Sequence, residues 1–343
     1  MRAVRYEAPG HFQVANVPTA PIGPSDVRIR VHQVGVCGTD LHLHDGSYMG
    51  VYPLIPGHEM IGEIDEVGAN VARFHRGQRV TVNPKVHCGE CEYCLAGRPG
   101  LCANTQGMGV HRPGFFAEYV SADQRQVFSI DDLHPDTAVF AEPTACAMHG
   151  LETLELRPGG SALVIGAGPT GLLLAQLIAS GGATSVTVAD IVPFKLQTAA
   201  ALGVDQAVLI TKDAADNADL LRHASPNGDG YDTVVEATGV PAVGDICVPL
   251  TRNGGTVLIY GVARPDEQLS ISPFEIFRRE ITIKGSYAEM TTFAAAIAAL
   301  RTRRVRTAGI ITHRFGLEDY GQALDALATD PAAHKVIIAI AEW

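Results

Sequence analysis

The run Ser161-Ala162-Leu163-Val164-Ile165-Gly166-Ala167-Gly168-Pro169-Thr170-Gly171, followed by the apolar stretch Leu172 to Ile178, constrains the fold of this chain more than any other feature. A strand-like run enters a glycine turn and a helix-like run leaves it. In that order Gly166 permits the tight turn, Gly168 lets backbone amides approach a pyrophosphate, and Gly171 allows the helix to pack closely on the strand, with Pro169 and Thr170 opening the helix. The helix N-terminus adds partial positive charge for the phosphates. Asp190 closes the next apolar run, 22 positions after Gly168. An acidic side chain there can accept hydrogen bonds from both ribose hydroxyls and repels a 2′-phosphate, so NAD is expected in preference to NADP. Lys195 is either a neighbour of the adenosine ribose or a residue on a solvated helix face.

A glycine-rich turn also has a purely structural use, so the surrounding pattern matters. Apolar runs alternate with helical stretches through Ala162–Ile165, Val186–Ala189, Ala207–Ile210, Thr233–Glu236, Thr256–Tyr260 and Ile281–Lys284. Six such strands make a complete doubly wound parallel sheet. Before it, runs such as Asp26-Val27-Arg28-Ile29-Arg30-Val31 alternate with period two and are broken by proline and glycine, which marks a β-rich domain. At 343 residues the chain exceeds what one hydrophobic core usually supports. The expected organisation is an α/β protein with a β-rich domain over 1–150 and a dinucleotide-binding domain over 151–287. Residues 288–343 are expected to return to the first domain.

Composition narrows the partners. Twenty-six basic against thirty-seven acidic residues give a net charge of −11, the wrong sign for a nucleic-acid or anionic-membrane surface. The apolar runs are far shorter than a membrane span, and the first residues lack a secretory pattern. A cytoplasmic protein with a small-molecule substrate is expected. Seven cysteines, four of them between residues 88 and 102, make a disulfide framework a poor reading in that compartment. Cys88, Cys91, Cys94 and Cys102 form C-x2-C-x2-C-x7-C, a loop that offers four thiolates to one ion with no open position. A structural zinc fits this best, against two disulfides, an iron–sulfur cluster or free thiols. Cys146 and Cys247 have no partner pattern and read as small core residues.

Val36-Cys37-Gly38-Thr39-Asp40 and Pro56-Gly57-His58-Glu59 stand 21 residues apart, with Ala141-Glu142-Pro143 much later. Each is unremarkable alone. Together with the four-cysteine run and Gly-Ala-Gly-Pro-Thr-Gly, they occur in the order of the zinc-containing medium-chain alcohol and polyol dehydrogenases, and the resemblance covers essentially the whole chain. It implies a GroES-like catalytic domain beside a Rossmann domain, and two zinc ions per subunit, one catalytic and one structural. The resemblance makes Cys37 and His58 catalytic zinc ligands, with Glu59 a ligand or exchangeable neighbour and Glu142 at the remaining protein position. Asp40 would accept a hydrogen bond from the other nitrogen of His58. Thr39 would contact the substrate hydroxyl, and the proton would leave through a nearby imidazole, His42 in preference to His44. Gly261 and Val262, and Ser286 and Tyr287, match positions that meet nicotinamide through backbone. The family also implies a homodimer or homotetramer.

An open zinc position lowers the pKa of a bound alcohol, whose carbon can then give hydride to nicotinamide. The run Glu142-Pro143-Thr144-Ala145-Cys146-Ala147-Met148-His149-Gly150-Leu151 is similar to polyol dehydrogenases, which points to a sugar alcohol or vicinal diol. Gly109 to Tyr119, with Thr39 and His42, resembles L-threonine dehydrogenase, for which Arg112 would have to meet a carboxylate. A cyclitol dehydrogenase is also compatible. The rivals of another kind are a zinc-stabilised NAD-binding sensor, which has no use for an open metal site, and a zinc-free quinone reductase.

Overall fold

The computed structural model describes residues 1–19, 21–289 and 291–342. The chain forms two compact units, one of Met1–Ala145, Glu289–Arg301 and Ile310–Trp343, the other of Cys146–Ala288 and Thr302–Gly309.

In the first unit, the alternation along Asp26–Val36 places Val27, Ile29, Val31, Val34 and Val36 in the core. That strand is the spine of a seven-stranded sheet. Glu59–Val67 pairs antiparallel with it, followed outward by Arg79–Val82 and Val127–Ser129. On its other side it pairs antiparallel with Lys335–Ala339, which in turn runs parallel to Ile311–Gly316, while Tyr119–Asp123 pairs with its first half. Helix Tyr320–Thr329 lays Tyr320, Ala323 and Leu324 against this core. Burying a side chain such as Leu324 contributes on the order of 1.5–3 kcal/mol. The short pair Lys85–Val86 and Gln106–Gly107 closes the base of the four-cysteine loop.

The second unit is a six-stranded parallel sheet. Its spatial order is Gln206–Leu209, Ser185–Asp190, Ser161–Ile165, Tyr231–Glu236, Thr251–Ile259, Thr282–Gly285. The order reverses beside the first strand, as in a doubly wound dinucleotide fold. Ser161–Ile165 is buried along its whole length, as a strand covered on both faces must be.

Three differences from the sequence-based limits have physical causes. Helix Ala141–Leu154 carries the chain from one unit into the other, so the boundary falls at 145/146 and not at 150/151. The final segment does not return to the first unit as one piece. Residues 302–309 stay with the second unit, where the Arg306 N–H donates to Gln176 Oε1 at 2.9 Å and Gln176 Nε2 donates to the Arg306 carbonyl at 3.1 Å. The fifth strand also begins earlier than expected, at Thr251. Its polar start Thr251-Arg252-Asn253-Gly254-Gly255 carries no apolar signal, and the register with its neighbour is irregular there.

Candidate active site

Strand Asp26–Val36 ends just before helix Gly38–Asp45, leaving Cys37 extended at the junction (φ −125°, ψ 164°). The neighbouring strand starts at Glu59, paired with Gly35, so the ends that carry Cys37 and His58 meet at one margin of the sheet. His58 follows Gly57, whose φ of +93° suits only glycine. A methyl group at Gly109 or Gly114 would come within 2.3 Å of the Gly57 carbonyl oxygen, so three glycines interlock behind His58. The donor atoms of Cys37, His58 and Glu59 all lie within 4.8 Å of one another.

A thiol, an imidazole and a carboxylate converging this closely suit a divalent transition metal. The local field agrees. Burial pulls the His58 pKa down, but the bond to Cys37 and the charges of Asp40, Cys37 and Glu142 outweigh it and raise the pKa well above its ordinary value. Glu142 is not in the cluster itself. It lies in the first turn of helix Ala141–Leu154, with its carboxylate within 4.8 Å of the buried Glu289. Glu59, in turn, is ion-paired with the buried Lys335.

Asp40 Oδ2 accepts the Cys37 N–H at 2.9 Å. Its Oδ1 is 3.9 Å from His58 Nδ1, too far for the hydrogen bond expected from the sequence, although both atoms are buried and bond to nothing else among the described residues. The Cys37 amide holds the carboxylate back. Thr39 and His42 sit three positions apart on the helix, hence on one face. His42 Nδ1 is 3.0 Å from Ser47 Oγ. His44 instead meets the Tyr6 hydroxyl at 2.8 Å and stands edge-on to Phe12, which makes it part of an aromatic wall.

The four cysteines of the loop gather as one group. Cys88 Sγ is 3.4 Å from Cys102 Sγ and 4.0 Å from Cys94 Sγ. Disulfide sulfurs would be about 2.05 Å apart, whereas bonds of about 2.3 Å to a tetrahedral zinc put sulfurs roughly 3.8 Å apart. Backbone N–H groups of Glu90 and Cys91 lower the Cys88 pKa to about 6, so it offers a thiolate near neutrality.

In the second unit Gly168 caps helix Pro169–Ser180, and a Cβ built on it would meet nothing within 4 Å, which leaves the helix N-terminus open to a pyrophosphate. A Cβ on Gly171 would fall 2.0 Å from the Gly166 carbonyl oxygen. Thr170 follows Pro169 in the first turn. Gly166, Gly168, Asp190 and Lys195 line one cleft of about 550 Å³, which also takes in Lys212, Thr238 and Val240. The Asp190 carboxylate accepts N–H bonds from Ala167 at 2.7 Å and Val192 at 2.8 Å, fixing it beside the glycine turn. Gly261 and Val262, and Ser286 and Tyr287, lie just past the C-terminal ends of the fifth and sixth strands and outside the lining of that cleft. Gly261 is needed there, because a Cβ would come 2.1 Å from the Gly239 nitrogen.

The sequence reading did not single out Lys335, Glu289 or Ser47, nor Gly109 and Gly114 as the support of Gly57. A buried lysine at the head of an otherwise apolar run, Lys335 to Ile340, was the one available signal.

A β-rich unit with a Cys–His–carboxylate cluster and a closed four-thiol loop, followed by a doubly wound unit with a phosphate-binding turn, defines a metal- and nicotinamide-dependent dehydrogenase. Residues 23–132 match the alcohol dehydrogenase GroES-like domain, and residues 169–302 match the zinc-binding dehydrogenase family. The chain is 39% identical to D-arabinitol dehydrogenase 1 of Uromyces fabae over 96% of its own length and 94% of the relative's. It is 35% identical to L-threonine 3-dehydrogenase of Rhizobium johnstonii over 94% and 93% of the two chains. Among solved structures, a zinc-binding dehydrogenase of Sinorhizobium meliloti bound to NADP superposes with a TM-score of 0.91 at 33% identity, covering 98% of each chain. The chain belongs to the zinc-containing medium-chain dehydrogenase family and is an oxidoreductase.

Proposed function

We propose that this protein oxidises a secondary hydroxyl of a sugar alcohol or vicinal diol, with zinc at Cys37 and His58 and NAD on the second unit. The observation that carries the substrate class is the acidic surround of the cluster, with Asp40, Glu59, Glu142 and Glu289 all buried. Carboxylates accept hydrogen bonds from the neighbouring hydroxyls of a neutral polyol and repel a substrate carboxylate. Arg112, the cation an amino-acid substrate would call for, lines a separate cleft with Lys85, His87 and Arg125, whose walls include none of Cys37, His58, Glu59 and Glu142. The greater identity to the arabinitol enzyme points the same way.

Bound at Cys37, His58 and a carboxylate, zinc would supply a Lewis acid that favours the ionised form of an alcohol hydroxyl near neutral pH. The rest falls to the chain. Thr39 receives the hydroxyl proton and passes it to His42, whose ring is oriented by Ser47. Asp40 fixes the Cys37 amide and faces the outer nitrogen of His58. Gly168 and the helix behind it bind the pyrophosphate, Asp190 the adenosine ribose with Lys195 beside it, and the backbone at Gly261, Val262, Ser286 and Tyr287 the nicotinamide end. The second zinc, on Cys88, Cys91, Cys94 and Cys102, cross-links the loop.

Association as a homodimer or homotetramer is supported by the edge strand Thr282–Gly285 and by Phe274 and Phe277, 63% and 82% exposed on the adjoining helix Pro273–Arg279. Among the described residues no helix is long and apolar enough to cross a membrane. A cytoplasmic location accords with the seven unbridged cysteines. The test is purified, zinc-loaded protein with NAD and a panel of pentitols, hexitols, vicinal diols, cyclitols and L-threonine. Reduced nicotinamide should form with polyols or diols and be lost on chelation. Turnover of L-threonine alone would overturn the substrate assignment.

A further inference from the structure

Gly35 has two partners across the sheet, Glu59 on one side and Ile337 on the other, and directly opposed residues share a face. Lys335 lies two positions before Ile337 and therefore on that same face. A Cβ on Gly35 would come 2.1 Å from Glu59 Oε2 and 2.7 Å from Lys335 Cε. The missing side chain at Gly35 is thus the space in which a lysine from the end of the chain and a glutamate from its beginning meet, both buried. Glu59 thereby has two suitors, the Lys335 ammonium at Oε2 and whatever cation is held by Cys37 and His58, whose donor atoms lie within 4.8 Å of its carboxylate.

We propose that Lys335 is a positioning residue of the metal centre. It retains the Glu59 carboxylate in the ion pair, so that a coordination position beside Cys37 and His58 stays open to the substrate hydroxyl. With Lys335 in place Glu59 is a neighbour of the metal; without it, the freed carboxylate becomes a ligand and closes the open position. This rests on the reading of Cys37 and His58 as metal ligands.

The test compares wild type, Lys335→Met and the double variant Glu59→Gln/Lys335→Met as full-length holoprotein, after metal analysis of the wild type. Two zinc ions per chain in the wild type uphold the metal reading, and a single one would sink that reading before the role of Lys335 is reached. The readouts are the rate at which a chelator removes the catalytic ion and the visible spectrum after cobalt(II) replaces it. Lys335→Met should release the ion about tenfold more slowly than wild type, with an altered cobalt spectrum and a reduced kcat. The double variant, having no carboxylate to release, should return to within about threefold of the wild-type rate and to its spectrum. Release from Lys335→Met as fast as wild type or faster, or an unchanged spectrum, would overturn the assignment. Should Lys335→Met fail to fold, the double variant decides alone. Release about tenfold faster than wild type would mean that Glu59 was already a ligand.

Discussion

Asp190 braces the glycine turn and is proposed to meet the adenosine ribose, two roles that a comparison of the two cofactors separates. Its carboxylate accepts the amides of Ala167 and Val192 and so braces the glycine turn, and it is the acidic group beside the expected ribose. Lys195 and Lys212 line the same cleft, so on the proposed reading a preference for NAD would require Asp190 to outweigh two cations. Asp190→Ala should lower the preference for NAD over NADP by roughly 10- to 100-fold, the worth of one hydrogen bond to a charged group. The ratio of kcat/KM for the two cofactors checks it, and an unchanged ratio would remove Asp190 from the ribose. A second residue governs acid stability. Burial, with Arg30 nearby, lowers the His32 pKa from 6.5 to about 4. The unfolded chain therefore takes up a proton below pH 6.5 that the folded chain refuses, and stability declines between about pH 6.5 and pH 4, by up to about 3 kcal/mol. Above pH 6.5 His32 has no such effect. Denaturant unfolding at pH 7.5 and pH 4.5 should show a smaller difference for His32→Gln than for wild type.

At the scale of elements, two loops position chemistry without performing it. Gly109 has φ +84°, and a Cβ there would strike the Gly57 carbonyl, so Gly109→Ala must shift the turn that presents His58. The expected cost is at least about 2 kcal/mol, with lower zinc occupancy at the catalytic cluster. Thermal unfolding and metal analysis read the two effects. One short strand pair closes the four-cysteine loop at its base, and an ion on its four thiolates would tie down the rest. Cys91→Ser should lose one zinc and lower Tm by about 5 °C, while NAD binding, on the other unit, stays as in wild type. These elements also show what a sequence displays and what it hides. The glycine turn and the cysteine spacing are local, because a phosphate-binding turn and a tetrahedral thiolate site each need their residues close together in the chain. Strands such as Ser161–Ile165 were legible because burial on both faces demands an unbroken apolar run. The polar start of Thr251–Ile259 was hidden because it holds no apolar run: only Thr251 pairs there, and the register then shifts to Thr256. Lys335 and Glu289 were hidden for another reason. Each joins the site from the far end of the chain, and only strand register or tertiary packing brings them to Glu59 and Glu142.

For the whole molecule, the proposed reaction assigns a different part to each unit. The first gathers buried anions around a place that favours a cation, and the second offers an open helix N-terminus and a fixed carboxylate to a dinucleotide. Neither arrangement has a use in isolation: a nucleotide-binding unit gains nothing from a Cys–His–carboxylate cluster, and the closed four-thiol loop already meets any need for a structural ion. The account depends on a second metal beside Cys37 and His58. The most direct measurement is the zinc content per chain of wild type and Cys37→Ala, read together with NAD binding. Two zinc ions in the wild type and one in Cys37→Ala, with NAD affinity preserved and alcohol oxidation lost, is the predicted result. One zinc in both proteins, or oxidation that survives in Cys37→Ala, would contradict it.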